Sequence, residues 1–364
     1  MTNTPTITGM RARPVLVPMR RPPQSASGAI PGASLVLIDL TTSDGITGRA
    51  YLFGFQPFTL RPLVGCLEGL FALVQGDPLA PLALEAKLRR ALTLLDTPGL
   101  VGLALAGLDM AAWDALAQAH GVPLARLLGA APRPVPAYNS CGLWIQCVDT
   151  LADEAEQLAE EGGFSAVKLR LGRADAAEDL AAVRAVMKRV GGRLEVMADF
   201  NQRLTVGEAL ARGRMLDHEG LAWIEEPIRH DDYRGCAQVR AALKTPIQIG
   251  ENLTSTFALK DALDAGALDY VMPDVQRIGG VTGWLRASAL AQAHGVPMSS
   301  HLFPELSAHL LAATPTAHVL EYVDWASPIL DQPVQLRAGH VVVPERAGTG
   351  VAWNEDAVAR YALA

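Results

Sequence analysis

Cysteine is scarce in this chain. There are four in 364 residues, Cys66, Cys141, Cys147 and Cys236, and no two form a CxxC pair. That pattern offers no thiolate metal pair and no disulfide framework, so the four read as reduced thiols of a cytoplasmic protein. An excess of basic residues is also missing. The formal net charge of −7 argues against nucleic acid or an anionic membrane as the partner. No continuous apolar stretch follows the start "MTNTPTITGMRARPVLVP", so no signal peptide is expected. The most apolar run, "GLVGLALAGLDMAAWDALAQAHG", is broken by Asp109 and Asp114 and reads as a buried helix, not a membrane span. What is abundant is core material. Hydrophobic residues make up 50% and charged residues 19%, which excludes general disorder and allows a large interior.

Two grammars divide the chain. Residues 1–132 begin with the strand-like runs "ITGMRARPVLVPM", "ASLVLIDLTTS" and "GITGRAYLFGF", the last two joined by an Asp-Gly turn signal in "TSDGIT". Helical patterns follow near 58–75, 82–95 and 99–120, giving an α+β domain. The segment 20–33, "RRPPQSASGAIPGA", is too long and too rich in Pro, Gly and Ser for a tight turn, and reads as a mobile lid loop. Over 133–330, short apolar strands alternate with amphipathic helices. The eight candidates are "VPAYNS", "AVKLRL", "LEVMADF", "LAWIEEP", "PIQIGEN", "YVMPDV", "PMSSHL" and "VLEYVD". Eight such units predict a TIM-type (β/α) barrel. Residues 331–364 are too irregular for another unit and are expected to pack back on the first domain.

In such a barrel the chemistry sits at the C-terminal ends of the strands. Read in order, those ends carry Lys168 and Arg170, Asp199 and Asn201, Glu225, Glu251, Asp274, His301 and Glu321. Three consecutive strands end in the carboxylates Asp199, Glu225 and Glu251. Crowded carboxylates do not stay ionised unless something positive answers them. Oxygen donors without Cys or His favour Mg²⁺, with Mn²⁺ as the other candidate. The plainer alternative makes them loop carboxylates or ion-pair partners of Lys168 and Arg170. Asp274 and His301 end the sixth and seventh strands, and a carboxylate beside an imidazole fixes its tautomer and raises its basicity. Glu321 is expected to keep its proton and donate to a developing oxyanion; its alternative is a salt bridge to Arg170 or Lys168.

Lys168 and Arg170 alternate onto one face of their strand, about 7 Å apart. Cations and a metal suit a substrate carboxylate, with base candidates on the two walls. The matching chemistry is removal of the proton α to that carboxylate, with the metal stabilising the enediolate.

The motifs "GLDMAAWDALA", "VKLRLG", "MADFNQ", "WIEEP", "GEN", "MPDVQRIGGVTGWLRASALAQ", "MSSHLFPE" and "SAHLLAATPTAH" resemble the enolase superfamily, specifically its mandelate racemase group, nearly end to end. The resemblance implies a capping domain on a modified (β/α)7β barrel. It implies Mg²⁺ on Asp199, Glu225 and Glu251, His301 with Asp274 as the base for one enantiomer, Glu321 as an acid facing the substrate carboxylate, and Lys168 as a tuner beside it. Ser140 and Asn201 match residues that hold substrate oxygens. Segment 20–33 matches the capping loop, with Ile30 over the pocket, and Phe53, Phe55, Leu302 and Val323 match an apolar substrate wall. The substrate implied is a small hydroxy-carboxylate, and the assembly a homo-octamer.

One position departs from the pattern. The racemases carry Lys-x-Lys, the second Lys being the base for the other enantiomer, and this chain has Arg170 there. A guanidinium ionises at about 12.5–13.8, so neutral Arg at pH 7 costs at least roughly 7–8 kcal/mol, whereas Lys begins near 10.4. Three readings follow. The first is racemisation of an apolar or aryl 2-hydroxy acid, with Arg170 an inefficient base. The second is dehydration of an acid sugar or other hydroxy acid, with His301 the sole base and Arg170 a clamp. The third is a catalytically impaired protein, or an engineered Lys-to-Arg variant. Pro22 and Pro23 in the lid, and the longer loop "CGLWIQC" after Ser140, also depart from the pattern.

Overall fold

The strand-like runs at the start of the chain form an antiparallel sheet in the computed structural model, which describes residues 4–95 and 97–363. The strands are β1 (Ile7–Pro18), β2 (Gln24–Ser25), β3 (Gly28–Ala29), β4 (Gly32–Thr42) and β5 (Thr47–Phe53). The main sheet runs β1-β4-β5, while β2 and β3 form a small hairpin inside segment 20–33. Gly45, at φ 82°, makes the β4–β5 turn, a conformation that glycine adopts without steric cost.

Against this sheet lie α1 (Leu60–Val74) and α3 (Leu100–Ala119), with α2 (Pro81–Ala91) packed on both helices. α3 is long and apolar enough to cross a membrane, yet most of it is buried in this fold. Its approach to β5 is so close that a Cβ on Gly48 would lie 2.0 Å from the Ala111 carbonyl oxygen. The two aspartates that interrupt α3 tie it to its surroundings. Asp114 accepts from the amides of Arg49 (2.7 Å) and Thr349 (2.6 Å). Asp109 accepts from the Thr282 amide at 3.0 Å, and burial pushes its pKa up to about 7.

The alternating half is a (β/α) barrel. After α4 (Leu124–Leu127) come β6 (Val135–Asn139), α5 (Val148–Glu160), β7 (Ala166–Arg170), α6 (Ala176–Val190), β8 (Glu195–Asp199), α7 (Val206–Leu216) and β9 (Ile224–Glu225). The chain continues through α8 (Tyr233–Ala242), β10 (Ile247–Ile249), α9 (Thr256–Asp264), β11 (Tyr270–Val271), α10 (Val275–Ile278), α11 (Gly280–Ala293), α12 (Pro304–Ala312) and β12 (Leu320–Tyr322). The parallel order is β11-β10-β9-β8-β7-β6, with β12 on the free side of β6.

The seventh strand differs from expectation. "PMSSHL" forms isolated bridges, Met298 to both Val271 and Ala317, and His301 to Asp274. Pro297 at its start has no N–H to donate, and the left-handed residues Leu302 (φ 52°) and Phe303 (φ 49°) turn the chain away at its end. Those few bridges still close the barrel between β11 and β12. The short strands β13 (Leu336–Arg337) and β14 (His340–Val341) then add antiparallel to the first barrel strand, β6. The last helix, α13 (Glu355–Tyr361), lies on β1, where Glu355 pairs with Arg13 at 2.5 Å.

His309 on α12 is buried between α4 and the C-terminal segment. Its Nδ1 accepts from the Ala125 amide (3.2 Å) and its Nε2–H donates to the Thr349 carbonyl (3.1 Å), so it is a neutral imidazole. Burial brings its pKa down from 6.5 to about 4. Between those values the unfolded chain holds a proton here that the folded chain lacks. Stability is therefore lost as pH falls through that window, by on the order of 3 kcal/mol at this one site. In denaturant titrations at pH 7 and pH 4, the stability difference between the parent protein and His309→Gln shrinks by about that amount at the lower pH. A pH-independent difference refutes the assignment.

Candidate active site

Register builds the site. Parallel pairing sets Arg170 beside Asp199, and Asp199 beside Glu225, on adjacent strands. Gln248 pairs with Glu225, and Glu251 follows at the end of the next strand. Each of Asp199, Glu225 and Glu251 offers an oxygen, and the three oxygens lie within 4.8 Å of one another.

Lys168 Nζ is fully buried and contacts Glu225 (2.5 Å), Glu321 (2.7 Å) and Asp199 (3.6 Å). Burial works against its charge, but Glu225 and Glu321 outweigh it and hold its pKa well above the usual lysine range. Even so, the carboxylates of Asp199, Glu225, Glu226, Glu251 and Glu321 gather here, and among the described residues Lys168 and Arg170 are the fixed cations beside them. The excess shows in the titration of Glu225. Burial, opposed by Lys168 and reinforced by Asp199, Glu251 and Glu321, pushes it up to about 8. A set of three converging carboxylate oxygens with surplus negative charge fits a hard divalent cation.

Facing the triad is the imidazole. His301 Nδ1 donates to Asp274 Oδ2 at 2.7 Å, so Nε2 is the nitrogen that can gain or lose a proton. Asp274 is itself fixed, because its Oδ1 accepts from the amides of Gln276 (2.8 Å) and Arg277 (3.1 Å) at the start of α10. His301 Nε2 lies 3.5 Å from Glu251 and 3.8 Å from Glu321. Burial alone would lower its pKa, but Glu251, Glu321 and Asp274 outweigh that and raise it to about 9. Neutralising Glu251 with a cation removes the strongest of those attractions, so basicity here is tied to occupancy of the triad.

On the opposite wall Arg170 is held at several points. Its Nη2 donates to Ser140 Oγ (2.8 Å) and its Nη1 to the Lys168 carbonyl (3.2 Å). The guanidinium lies over the Trp144 ring, 4.3 Å from the centroid. Its Nε makes no hydrogen bond and lies 3.6 Å from Asp199 Oδ2.

Glu321, expected from the sequence to keep its proton, sits against Lys168. Burial favours the acid, but Lys168, His301 and Arg170 together hold its pKa well below the usual carboxylate range. As an ionised group it accepts from Ser140 Oγ (2.7 Å) and the Leu302 amide (3.0 Å). The alternative weighed from sequence, a salt bridge to Lys168, is the observed arrangement.

The remaining candidates divide between mouth, wall and lid. Asn201, in a left-handed conformation at φ 44°, donates to Asp199 through its amide (2.8 Å) and its Nδ2 (3.1 Å), and its buried Oδ1 has no partner. Phe53 and Phe55 meet at 4.5 Å between ring centroids, with Trp325 5.3 Å from Phe53. Gln276 docks this wall onto the barrel, accepting from the Phe53 amide at 2.9 Å. Leu302 and Val323 are buried in the barrel core. Ile30 is half-buried in the lid, its amide bonded to the Pro23 carbonyl at 3.0 Å. The lid lies across the mouth, where Ser27 Oγ donates to the Asn201 carbonyl at 2.7 Å.

Sequence reasoning missed Glu226, Trp144 and Trp325. Alternation along a strand sends Glu225 and Glu226 to opposite faces. The structure overrides this with a left-handed turn at Glu226, φ 35°, and Asn252 Nδ2 holds both of its oxygens, at 3.0 and 2.9 Å. Trp144 and Trp325 sit in loops, where no periodicity marks them.

Comparison with known proteins agrees with this geometry. Residues 7–129 match the family model "Mandelate racemase / muconate lactonizing enzyme, N-terminal domain", and residues 150–357 match "Enolase C-terminal domain-like". The chain is 31% identical to the L-talarate/galactarate dehydratase of Salmonella typhimurium over 324 residues, covering 89% of this chain and 81% of that one. A crystal structure of an enolase from alpha pretobacterium bal199 with bound Mg superposes with a TM-score of 0.97 at 46% identity, covering 99% of this chain and 100% of that one. An enolase from Bradyrhizobium complexed with magnesium and mandelic acid superposes with a TM-score of 0.96 at 42% identity, over the full length of both chains.

Proposed function

The chain belongs to the enolase superfamily, in its mandelate racemase group, and from that premise we propose that it removes the α-proton of a 2-hydroxycarboxylate with His301 as the only base and eliminates a β-hydroxyl to give the 2-keto acid. At the coarser level it is a magnesium-dependent enzyme of that superfamily. Asp199, Glu225 and Glu251 are the residues that would hold the ion. Bound there, it supplies Lewis-acid stabilisation of the charge that develops on the substrate carboxylate.

The observation that carries the one-base reading is the contrast between the two walls. His301 has its Nδ1–H fixed on Asp274 and its Nε2 open. Arg170 is tied to Ser140, Lys168 and Trp144 as a guanidinium. A residue held by its donors is suited to orienting an anionic or hydroxyl oxygen, not to receiving a proton. In the elimination, His301 Nε2 takes the α-proton. The resulting imidazolium returns it to the departing β-hydroxyl, which leaves as water, and the enol relaxes to the ketone. Lys168 and Arg170 hold the substrate carboxylate meanwhile. The dehydratase relative supports this reading.

A second reading has a specific basis. The Phe53, Phe55 and Trp325 cluster gives one wall an aromatic character, and the Bradyrhizobium neighbour carries mandelic acid, which has no β-hydroxyl. Under that reading the protein racemises an apolar 2-hydroxy acid.

One experiment separates the two. The magnesium-loaded protein is incubated in D₂O with both enantiomers of mandelate and with a panel of sugar acids, and NMR follows the α-position. We expect 2-keto acid from one or more sugar acids, deuterium uptake into one mandelate enantiomer at most, and loss of both signals on chelation. Uptake into both enantiomers at similar rates establishes the racemase instead. Activity that survives chelation removes the metal from either scheme.

A further inference from the structure

Loop 140–147, between β6 and α5, lies between Arg170 and the lid. Trp144 is nearly buried, 8% exposed. The ring lies beneath the Arg170 guanidinium, while the indole Nε1–H donates to the Arg21 carbonyl in the lid at 3.2 Å. The neighbouring backbone repeats the connection. The Ile145 amide donates to the Gln24 carbonyl (2.8 Å), and the Leu143 carbonyl accepts from the Arg170 amide (2.9 Å). Leu143 holds a left-handed conformation at φ 54°, a strained geometry that persists only where its surroundings enforce it. The lid tip reaches the same strand end: a Cβ on Gly172 would lie 2.8 Å from Ala26 Cβ.

We propose that Trp144 is a positioning residue that couples the seating of the lid to the orientation of Arg170. Two bonds, to Ser140 Oγ and the Lys168 carbonyl, hold the two ends of the guanidinium. Its Nε makes no hydrogen bond and lies 3.6 Å from Asp199 Oδ2, so no third hydrogen bond helps to fix the tilt. The Trp144 ring sets the tilt through a desolvated cation–π contact. The ring is in turn set by the lid, since its only polar atom is spent on the Arg21 carbonyl. When the lid lifts, the indole loses that bond and the guanidinium loses its fixed platform. Closure therefore completes the clamp as well as covering the mouth. By linkage the coupling runs both ways, so removing the guanidinium must loosen the lid.

That reciprocity can be measured without turnover, so its outcome is independent of which reaction the site performs. The readout is the rate of trypsin cleavage after Arg20, at the start of the lid, in the magnesium-loaded full chain. Cleavage after exposed Lys260 and the thermal midpoint serve as controls for global unfolding. Trp144→Phe keeps the ring and removes the N–H, and lid cleavage rises about fivefold, as for one lost hydrogen bond. Arg170→Met raises it about three- to tenfold through loss of the stack. The same Arg170→Met step has little further effect in a Trp144→Phe background, where the ring remains but its bond to the lid is gone, and none in a Trp144→Leu background. If Trp144→Leu does not fold, Trp144→Met takes its place. An unchanged rate in Arg170→Met, or an equal rise with Trp and with Phe at position 144, overturns the coupling.

Discussion

His301→Asn lowers α-proton exchange by about 10²- to 10⁴-fold, the usual contribution of a positioned base, while the protein stays folded. The effect is large because the site offers no substitute. Asp274 is fully buried and has one carboxylate oxygen committed to the start of α10 and the other to His301. Glu321 accepts from Lys168, Ser140 and the Leu302 amide, so its lone pairs are engaged. Lys168 is held cationic by Glu225 and Glu321. Asn fits the space and can donate to Asp274, so the carboxylate is not left unpaired. The check is deuterium uptake at the α-position of a responsive hydroxy acid, with magnesium affinity and the thermal midpoint measured alongside. Exchange retained within tenfold of the parent, with magnesium bound, removes His301 from the role of base.

The parts of this site legible in the sequence are those that strand geometry dictates. Alternation in "AVKLRLG" places Lys168 and Arg170 on one face, and the parallel register carries that face across to Asp199 and Glu225. A lone acid at each of three successive strand ends could not be satisfied without a cation, so the charge argument needed only topology. Where the backbone leaves regular geometry, the sequence is silent. Glu226 returns to the cluster through a left-handed φ that no pattern announces. The seventh strand is two bridged residues between prolines, not a ladder. Segment 20–33 was expected as a mobile loop because of its Pro, Gly and Ser content. Residues 24–29 of it form the β2–β3 hairpin, and the segment is bonded to Trp144, Ile145 and Asn201. The ionisation of Glu321 is not legible in the sequence for a related reason. Burial and Lys168 pull its pKa in opposite directions, and only their distances decide between them.

Arg170→Lys is expected to give the protein a second base and, with it, exchange of the enantiomer that the parent leaves untouched. Position 170 lies across the site from His301, on the strand that carries Lys168, so an amine there faces the other side of a substrate carbon. The gain follows from the two acidities. Arg at about 12.5–13.8 and Lys near 10.4 differ by roughly 10²- to 10³-fold in the neutral fraction at any pH below both. Asp199, 3.6 Å from the present guanidinium, would hold the amine charged. Lys168 on the same strand opposes that, and a cation on the triad weakens the pull of Asp199 further. The exchange added should be about 10²- to 10³-fold over whatever the parent shows for that enantiomer. Lys lacks the planar fork, so the bond to Ser140 and the stack on Trp144 are weakened, and the His301-dependent rate falls modestly at the same time. Deuterium uptake from each enantiomer of mandelate, for parent and variant, reads both changes together. If the variant still exchanges only the enantiomer that depends on His301, position 170 does not face the substrate α-carbon, and Arg170 is then a clamp by location as well as by acidity.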